Sequence, residues 1–195
     1  NCSQAPKEGV EDASLDISDS TPPIFSVPIV EIPIASETFG IVGFGQNLNN
    51  SDAFPLRLSP AIEYYTRDED AIVRAPCDLI LTKVMDNGEG VGDFELEFRT
   101  SEKSAYFIYI DHVRNLTVEE GDRVVAGESI GLAGVFPEFR VELQVNLLRR
   151  IEPSGYGTTH YCPLDFASSN FLAAHILFAP IQFWKLAEDV DGGTF

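Results

Sequence analysis

The stretch Thr117–Gly134, TVEEGDRVVAGESIGLAG, decides the reading of the fold. Its apolar positions Val118, Val124, Val125 and Ile130 are set between Gly121, Gly127, Gly131 and Gly134. Two short β elements, each opened by a glycine turn, account for that spacing. Glycine takes the positive-φ corners and the valines face inward, as in a sandwich or barrel.

Working outward, the flanking stretches repeat the β pattern. Upstream lie IVRAPCDLILTKV and AYFIYIDHV; downstream lies FRVELQV. Strands are expected at about 71–75, 79–84, 94–100, 105–111, 123–125, 129–133 and 140–147. Asp86-Asn87-Gly88 and residues 101–104 are suited to hairpin turns. Glu95, Glu97 and Arg99 alternate with Phe94, Leu96 and Phe98, which gives a strand one wet and one dry face, so the sheet is expected to be mostly antiparallel.

Further upstream, residues 38–46 read as a glycine-punctuated strand, and 24–36 as an edge strand or extended arm, because Pro28 and Pro33 cannot donate to a ladder. Residues 1–22 are acidic and poor in aromatics and read as a flexible tether. Downstream, 149–161 reads as a Gly/Ser/Thr loop. From Cys162 onward Phe171, Leu172, His175, Ile176 and Phe178, then Ile181, Phe183 and Trp184, approach helical spacing and predict two short helices divided by Pro180. The organisation is thus a tether (1–22), N-terminal strands or arm (23–58), a β domain (59–148) and a loop with a helical extension (149–195).

Composition narrows the function. With 195 residues, 44% of them hydrophobic, the chain is long enough for one sizeable core. Thirteen basic against 31 acidic residues give a net charge of −18, which repels phosphate backbones and anionic membrane surfaces. Nucleic acid is therefore not an expected partner. Of the three cysteines, Cys2 stands apart at the N-terminus and is a candidate for lipidation ahead of a tether, as in an exported lipoprotein, although Asn1 is not the small residue usual before such a cysteine. Cys77 and Cys162 are compatible with a disulfide or with two buried thiols.

Taken in order, APCDLILTKV, a hairpin, YFIYIDHV, VEEGDRVVAGESIGLAG and FRVELQV resemble the lysostaphin-type (LytM-like) zinc endopeptidases, which cut cell-wall peptidoglycan on a duplicated-hybrid-motif β fold. The resemblance covers about 59–145. It implies a mostly β, antiparallel sandwich or barrel-like domain, to which the residue patterns add an N-terminal arm and short C-terminal helices. In that family the zinc ligands are a histidine and an aspartate four residues apart, plus the second histidine of a His-x-His strand; the first histidine of that strand and a further one in a Tyr-x-His segment work on water and developing charge. Here Ser59 and Glu63 fall at or near the first two ligand positions, Arg140 where the catalytic histidine stands and Glu142 at the third ligand. His112 alone fits its family counterpart.

Hydrolysis by zinc needs three protein ligands and an open position for water. A degenerate site is therefore expected, with no confident catalytic residue (His112 and Arg140 being the candidates), no cofactor and no bound metal. Glu63, Glu142 and His160 are the weak candidate ligands should zinc bind. Glu63, His112, Arg140, Glu142 and Gln144 are expected to form a polar groove, since Arg140, Glu142 and Gln144 share one face of a strand. Three functional readings follow. The first is a non-catalytic LytM-like binding or regulatory module of an exported envelope protein, partnered by cell-wall material or another envelope protein and reaching the membrane only through a lipid on Cys2. The others are a zinc metalloendopeptidase with an atypical site and a saccharide- or peptide-binding protein. A biotin or lipoyl carrier would need a lysine at a hairpin tip, and Lys83 lies within a strand. His175, on the apolar helix, reads as a packing residue.

Overall fold

The computed structural model describes residues 16–32, 39–46, 58–66, 68–88, 92–135, 139–151 and 155–178. Ten strands run in chain order as β1 (Phe39–Val42), β2 (Ala61–Thr66), β3 (Ile72–Arg74), β4 (Leu79–Asp86), β5 (Phe94–Arg99), β6 (Tyr106–Arg114), β7 (Arg123–Val124), β8 (Ser129–Ala133), β9 (Phe139–Ile151) and β10 (Gly155–Tyr161). A 3₁₀ turn (Pro163–Phe166) and one helix, α1 (Ser169–Phe178), follow. Every strand pairing is antiparallel, in the order β1-β2-β9-β6-β5-β4-β7, with β10 beside β9 and β8 joined to both β6 and β3. The mostly β, antiparallel expectation is the observed class.

β9 is the spine. Along one edge it holds β2 from Phe139 to Gln144 and then β10 from Val145 to Ile151; along the other it holds β6 from Glu142 to Leu147. Strands β2 and β10 therefore meet end to end beside Gln144 and Val145. Alternation sorts the side chains: Val141, Leu143 and Val145 are fully buried, as are Tyr64, Ile108, Ile110, Leu96 and Phe98 from neighbouring strands.

The N-terminal arm and α1 supply further buried apolar groups. Phe25, Ile29 and Phe171 have no exposed surface, and the rings of Phe25 and Phe171 lie 5.7 Å apart. Buried aromatics of this size contribute a few kcal/mol each. Tyr64 Oη donates to His175 Nε2 (2.8 Å) while His175 Nδ1 donates to the Phe171 carbonyl (2.7 Å), which ties the helix to β2. His175 is a packed core residue, as its place on the apolar helix suggested.

Two sequence expectations change and a third is narrowed. Of the stretch 149–161 read as a loop, residues 149–151 complete β9 and 155–161 form β10; their Gly- and Thr-rich composition is overridden by a full ladder to β9. That makes His160 a strand residue, opposite Asn146. Of the two readings for 24–36, the described residues take the extended arm rather than a regular strand, pinned by backbone bonds Phe25 to Phe166, Ser26 to Pro76 and Arg74 to Ile29, each 2.8 Å, with Phe25, Ile29 and Val30 in the core. The tether reading fails over residues 16–22, where Asp19 bonds the Ser101 hydroxyl (2.7 Å) and, through its backbone, Lys103 and Ala105. The second predicted helix, Cys2 and the first part of the tether lie outside the described residues.

Gly121 and Gly127 take the expected positive-φ corners, at +96° and +84°. Gly134 is there for a different reason. A Cβ at this position would lie 2.8 Å from Asp93 Oδ1 and 2.9 Å from the His112 carbonyl oxygen, so only glycine lets these groups approach.

Candidate binding groove

The outward face of β9 carries Arg140, Glu142 and Gln144. Register places Arg140 opposite Tyr65, and Glu142 opposite Glu63 on β2 and opposite Asp111 on β6. These side chains, with His112 and His160, line an open cleft of about 730 Å³. The structure thus brings together every residue assigned to the groove from sequence, and His160 with them, through its strand pairing.

Arg140 lies across the floor. Its Nη1 is 3.8 Å from Glu63 Oε2 and its Nε 3.4 Å from Glu142 Oε1, and its Nη2 contacts His112 Nε2. Glu63, only 4% exposed, has both oxygens occupied: Ser59 Oγ donates to Oε1 (3.1 Å) and Tyr65 Oη to Oε2 (2.7 Å). Gln144 extends the polar strip, its Nε2 lying 2.9 Å from Asn146 Oδ1 and 3.0 Å from His160 Nδ1.

His112 reaches this strip through an unusual backbone. Up to Asp111, β6 pairs with β9, and from Val113 it pairs with β8. His112 sits at the changeover with φ of +60°, a left-handed conformation that costs a non-glycine residue on the order of 1 kcal/mol. Two bonds hold it there: its N–H donates to Asp111 Oδ1 (2.7 Å) and its carbonyl accepts from Gly134 N–H (2.7 Å). On an ideal strand Asp111 and His112 would point to opposite faces; the left-handed turn brings both to the cleft.

Behind His112 stands Asp93, to which no sequence pattern points. Its side chain is 1% exposed, and its Oδ2 lies 2.7 Å from His112 Nδ1. A carboxylate only accepts and a guanidinium only donates, so Nδ1 carries the proton and Nε2 accepts from Arg140. These two contacts match the Nδ1–H tautomer.

Electrostatically the cleft is crowded with carboxylates. Burial, and next the charge of Glu63, push Glu142 up to about 7, although Arg140 acts in the opposite direction. Burial also raises Glu95 on the adjacent strand, helped by Asp111 and Glu97, and lowers His160.

The chain is similar in structure to lysostaphin. Against the catalytic domain of that antimicrobial peptidase from Staphylococcus simulans, the TM-score is 0.49 at 16% identity, covering 66% of this chain and 90% of the domain. Against lysostaphin in its solution structure, the chain spans about half the length, 51%. A chain of the SpoIIQ–SpoIIIAH pore forming complex gives 0.49 at 16% identity, with 82% of this chain and 100% of that one covered. The catalytic domain of the prophage-encoded M23 protein EnpA from Enterococcus faecalis gives 0.46 at 17% identity, covering 68% and 95%. No protein-family model and no curated protein matches the chain.

Lysostaphin-type peptidases imply zinc, and the donors present here do not suit it. At or near the first ligand position stands Ser59, whose hydroxyl is a poor ligand and lies within hydrogen-bond reach of both the Ala61 carbonyl and Glu63. At or near the second, Glu63 already accepts from Tyr65 and faces Ser59. The third, Glu142, shares the cleft with a guanidinium that would oppose a dication. Among the described residues no group of three or more His, Cys, Asp or Glu side chains is arranged around a metal-sized centre. No reaction step is drawn through a metal.

The remaining candidates separate from the groove. Lys83 lies within β4. Cys77 and Cys162 are free buried thiols, not a disulfide, and burial pushes each up to about 12, which leaves them inert as nucleophiles.

Proposed function

We propose that this chain is a non-catalytic LytM-like domain whose cleft binds a ligand or partner protein, within an exported envelope protein. One observation carries the reading: the Arg140 guanidinium, at the position where the resemblance implies a catalytic histidine, lies in the cleft ion-paired with Glu63 and Glu142 and bonded to His112. The order of motifs along 59–145 supports the lysostaphin-type kinship, and loss of chemistry on a retained fold is a familiar separation. The partner class is cell-wall material or another envelope protein, recognised by a strip that alternates donors and acceptors: Arg140, Gln144 and His160 beside Glu63, Glu142 and Asp111.

Zinc content and zinc titration of the purified, chelator-stripped full chain test the proposal first. The expected result is no stoichiometric zinc and no change of melting temperature on adding it. One tightly bound zinc, lost in Glu142→Ala, would overturn the reading and leave a metalloendopeptidase to be assayed on peptidoglycan. Binding to purified peptidoglycan fragments, retained by wild type and lost at least tenfold in Arg140→Ala with the fold intact, would then identify the cleft as the contact surface.

A further inference from the structure

We propose that Asp93, which lines no part of the cleft, is the positioning residue for its floor: by accepting from His112 Nδ1 it leaves Nε2 free to hold Arg140 between Glu63 and Glu142. This rests on reading the cleft as the functional surface, but the positioning itself concerns the ligand-free protein.

The geometry runs in one direction. Asp93 is anchored from the turn between β4 and β5, where Asn87 N–H donates to its carbonyl (3.0 Å) and the Asn87 side chain lies 3.4 Å from Oδ2. The same Asn87 amide donates to Asp111 Oδ1 at 2.9 Å, so one side chain braces both the carboxylate behind His112 and the one beside it. Asp93 Oδ1 has no hydrogen-bond partner and faces Gly134. A buried carboxylate with half its capacity unmet is costly. It is retained at 1% side-chain exposure against a histidine whose backbone is itself left-handed. Two costly features back to back belong to a constellation that holds one imidazole in one orientation. With the tautomer reversed, the Nε2–H would face a guanidinium that has no lone pair to accept with, and Arg140 would lose its central contact. Arg140 has no other hydrogen-bond acceptor closer than Tyr65 Oη, at 3.4 Å.

The test reads the imidazole directly. In full-length ¹⁵N-labelled wild type, long-range ¹H–¹⁵N spectra at pH 7 are expected to show His112 with a protonated Nδ1 and an unprotonated Nε2. In Asp93→Ala this signature is expected to collapse to a tautomer average or to the Nε2–H form, and the Glu142 carboxyl titration to move above its wild-type midpoint as Arg140 leaves. Asp93→Asn, whose carbonyl still accepts, is expected to restore the Nδ1–H form. An Nε2–H His112 in wild type overturns the proposal without any variant having to fold, and so does an unchanged signature in a folded Asp93→Ala. Failure to bind peptidoglycan fragments or to exclude zinc would instead count against the function proposed above and leave the tautomer result standing.

Discussion

Glu142→Gln should make the protein more stable at alkaline pH and leave it almost unchanged in mild acid. Glu142 sits between carboxylates on both neighbouring strands, Glu63 across β2 and Asp111 across β6, and its side chain is 18% exposed. Burial and Glu63 raise its pKa from 4.5 to about 7. For an acid whose folded value is raised, the proton-bound form favours the native state. Below pH 4.5 both states hold the proton, so no penalty applies. Between 4.5 and 7 the unfolded chain ionises while the folded one does not, and stability falls as pH rises, by at most ~1.4 kcal/mol per unit. Above 7 the loss levels off, at about 3 kcal/mol for a shift of this size. Glutamine keeps the shape and cannot ionise, and the pull of Arg140 on the carboxylate is already part of the net shift. The net expectation is a gain of about 3 kcal/mol at pH 8 and a difference within about 1 kcal/mol of zero at pH 4.5. Urea denaturation of both proteins at pH 4.5, 6, 7 and 8 measures it. A difference between them that does not vary with pH would refute the argument, because it would mean that Glu142 titrates alike in the folded and unfolded chains.

Two further substitutions probe the same architecture. His175 is buried and neutral, donating to Phe171 and accepting from Tyr64, and burial lowers its pKa from 6.5 to about 4. The unfolded chain therefore gains a proton that the native state refuses, and stability should fall by up to about 3 kcal/mol as pH drops from 6.5 to 4; His175→Phe should flatten that acid limb in a denaturation series, and an unaltered limb would count against it. Gly134→Ala should destabilise by about 1–3 kcal/mol, since its Cβ would meet the His112 carbonyl at 2.9 Å and Asp93 Oδ1 at 2.8 Å. It should also broaden or shift the His112 imidazole resonances, whereas Gly121→Ala, with nothing within 4 Å of its Cβ, should strain the turn and leave His112 unmoved.

The parts of this molecule legible from sequence are those written in short periods. Ser129–Ala133 and Arg140–Leu147 announce themselves by alternation, and the same alternation places Arg140, Glu142 and Gln144 on one face. Glu63 was reachable only by measuring distance from Ala75-Pro76 along the family motif, and β2 then sets it directly opposite Glu142. What stayed hidden depends on pairing partners that no local pattern encodes. β10 is Gly- and Thr-rich and becomes a strand only because β9 runs on to Ile151 and offers it a ladder. The left-handed turn at His112 follows from the exchange of partner strands there, and a histidine at positive φ carries no sequence signal. Asp93 lies 19 residues before His112 at the start of a strand, where an acidic residue reads as solvated. The one available hint was Gly134, a glycine at no turn, whose missing side chain makes the space into which Asp93 and His112 fit.

Along β9 the labour is divided between two faces. Val141, Leu143 and Val145 point into the core and fix the register with β2 and β6, while Arg140, Glu142 and Gln144 point out to the cleft. Exchanging the outward set therefore costs little packing energy; what it costs is electrostatic. Three carboxylates, Glu63, Glu142 and Asp111, face one another across a partly buried strip, and without a cation among them like charges would repel at close range. Arg140 supplies that cation, and it can do so only while its guanidinium lies between Glu63 and Glu142. His112 holds it there, and Asp93 holds His112. The positive charge among these carboxylates is thus provided by a side chain, and the buried carboxylate and the left-handed histidine behind it are the structural means of keeping that side chain still.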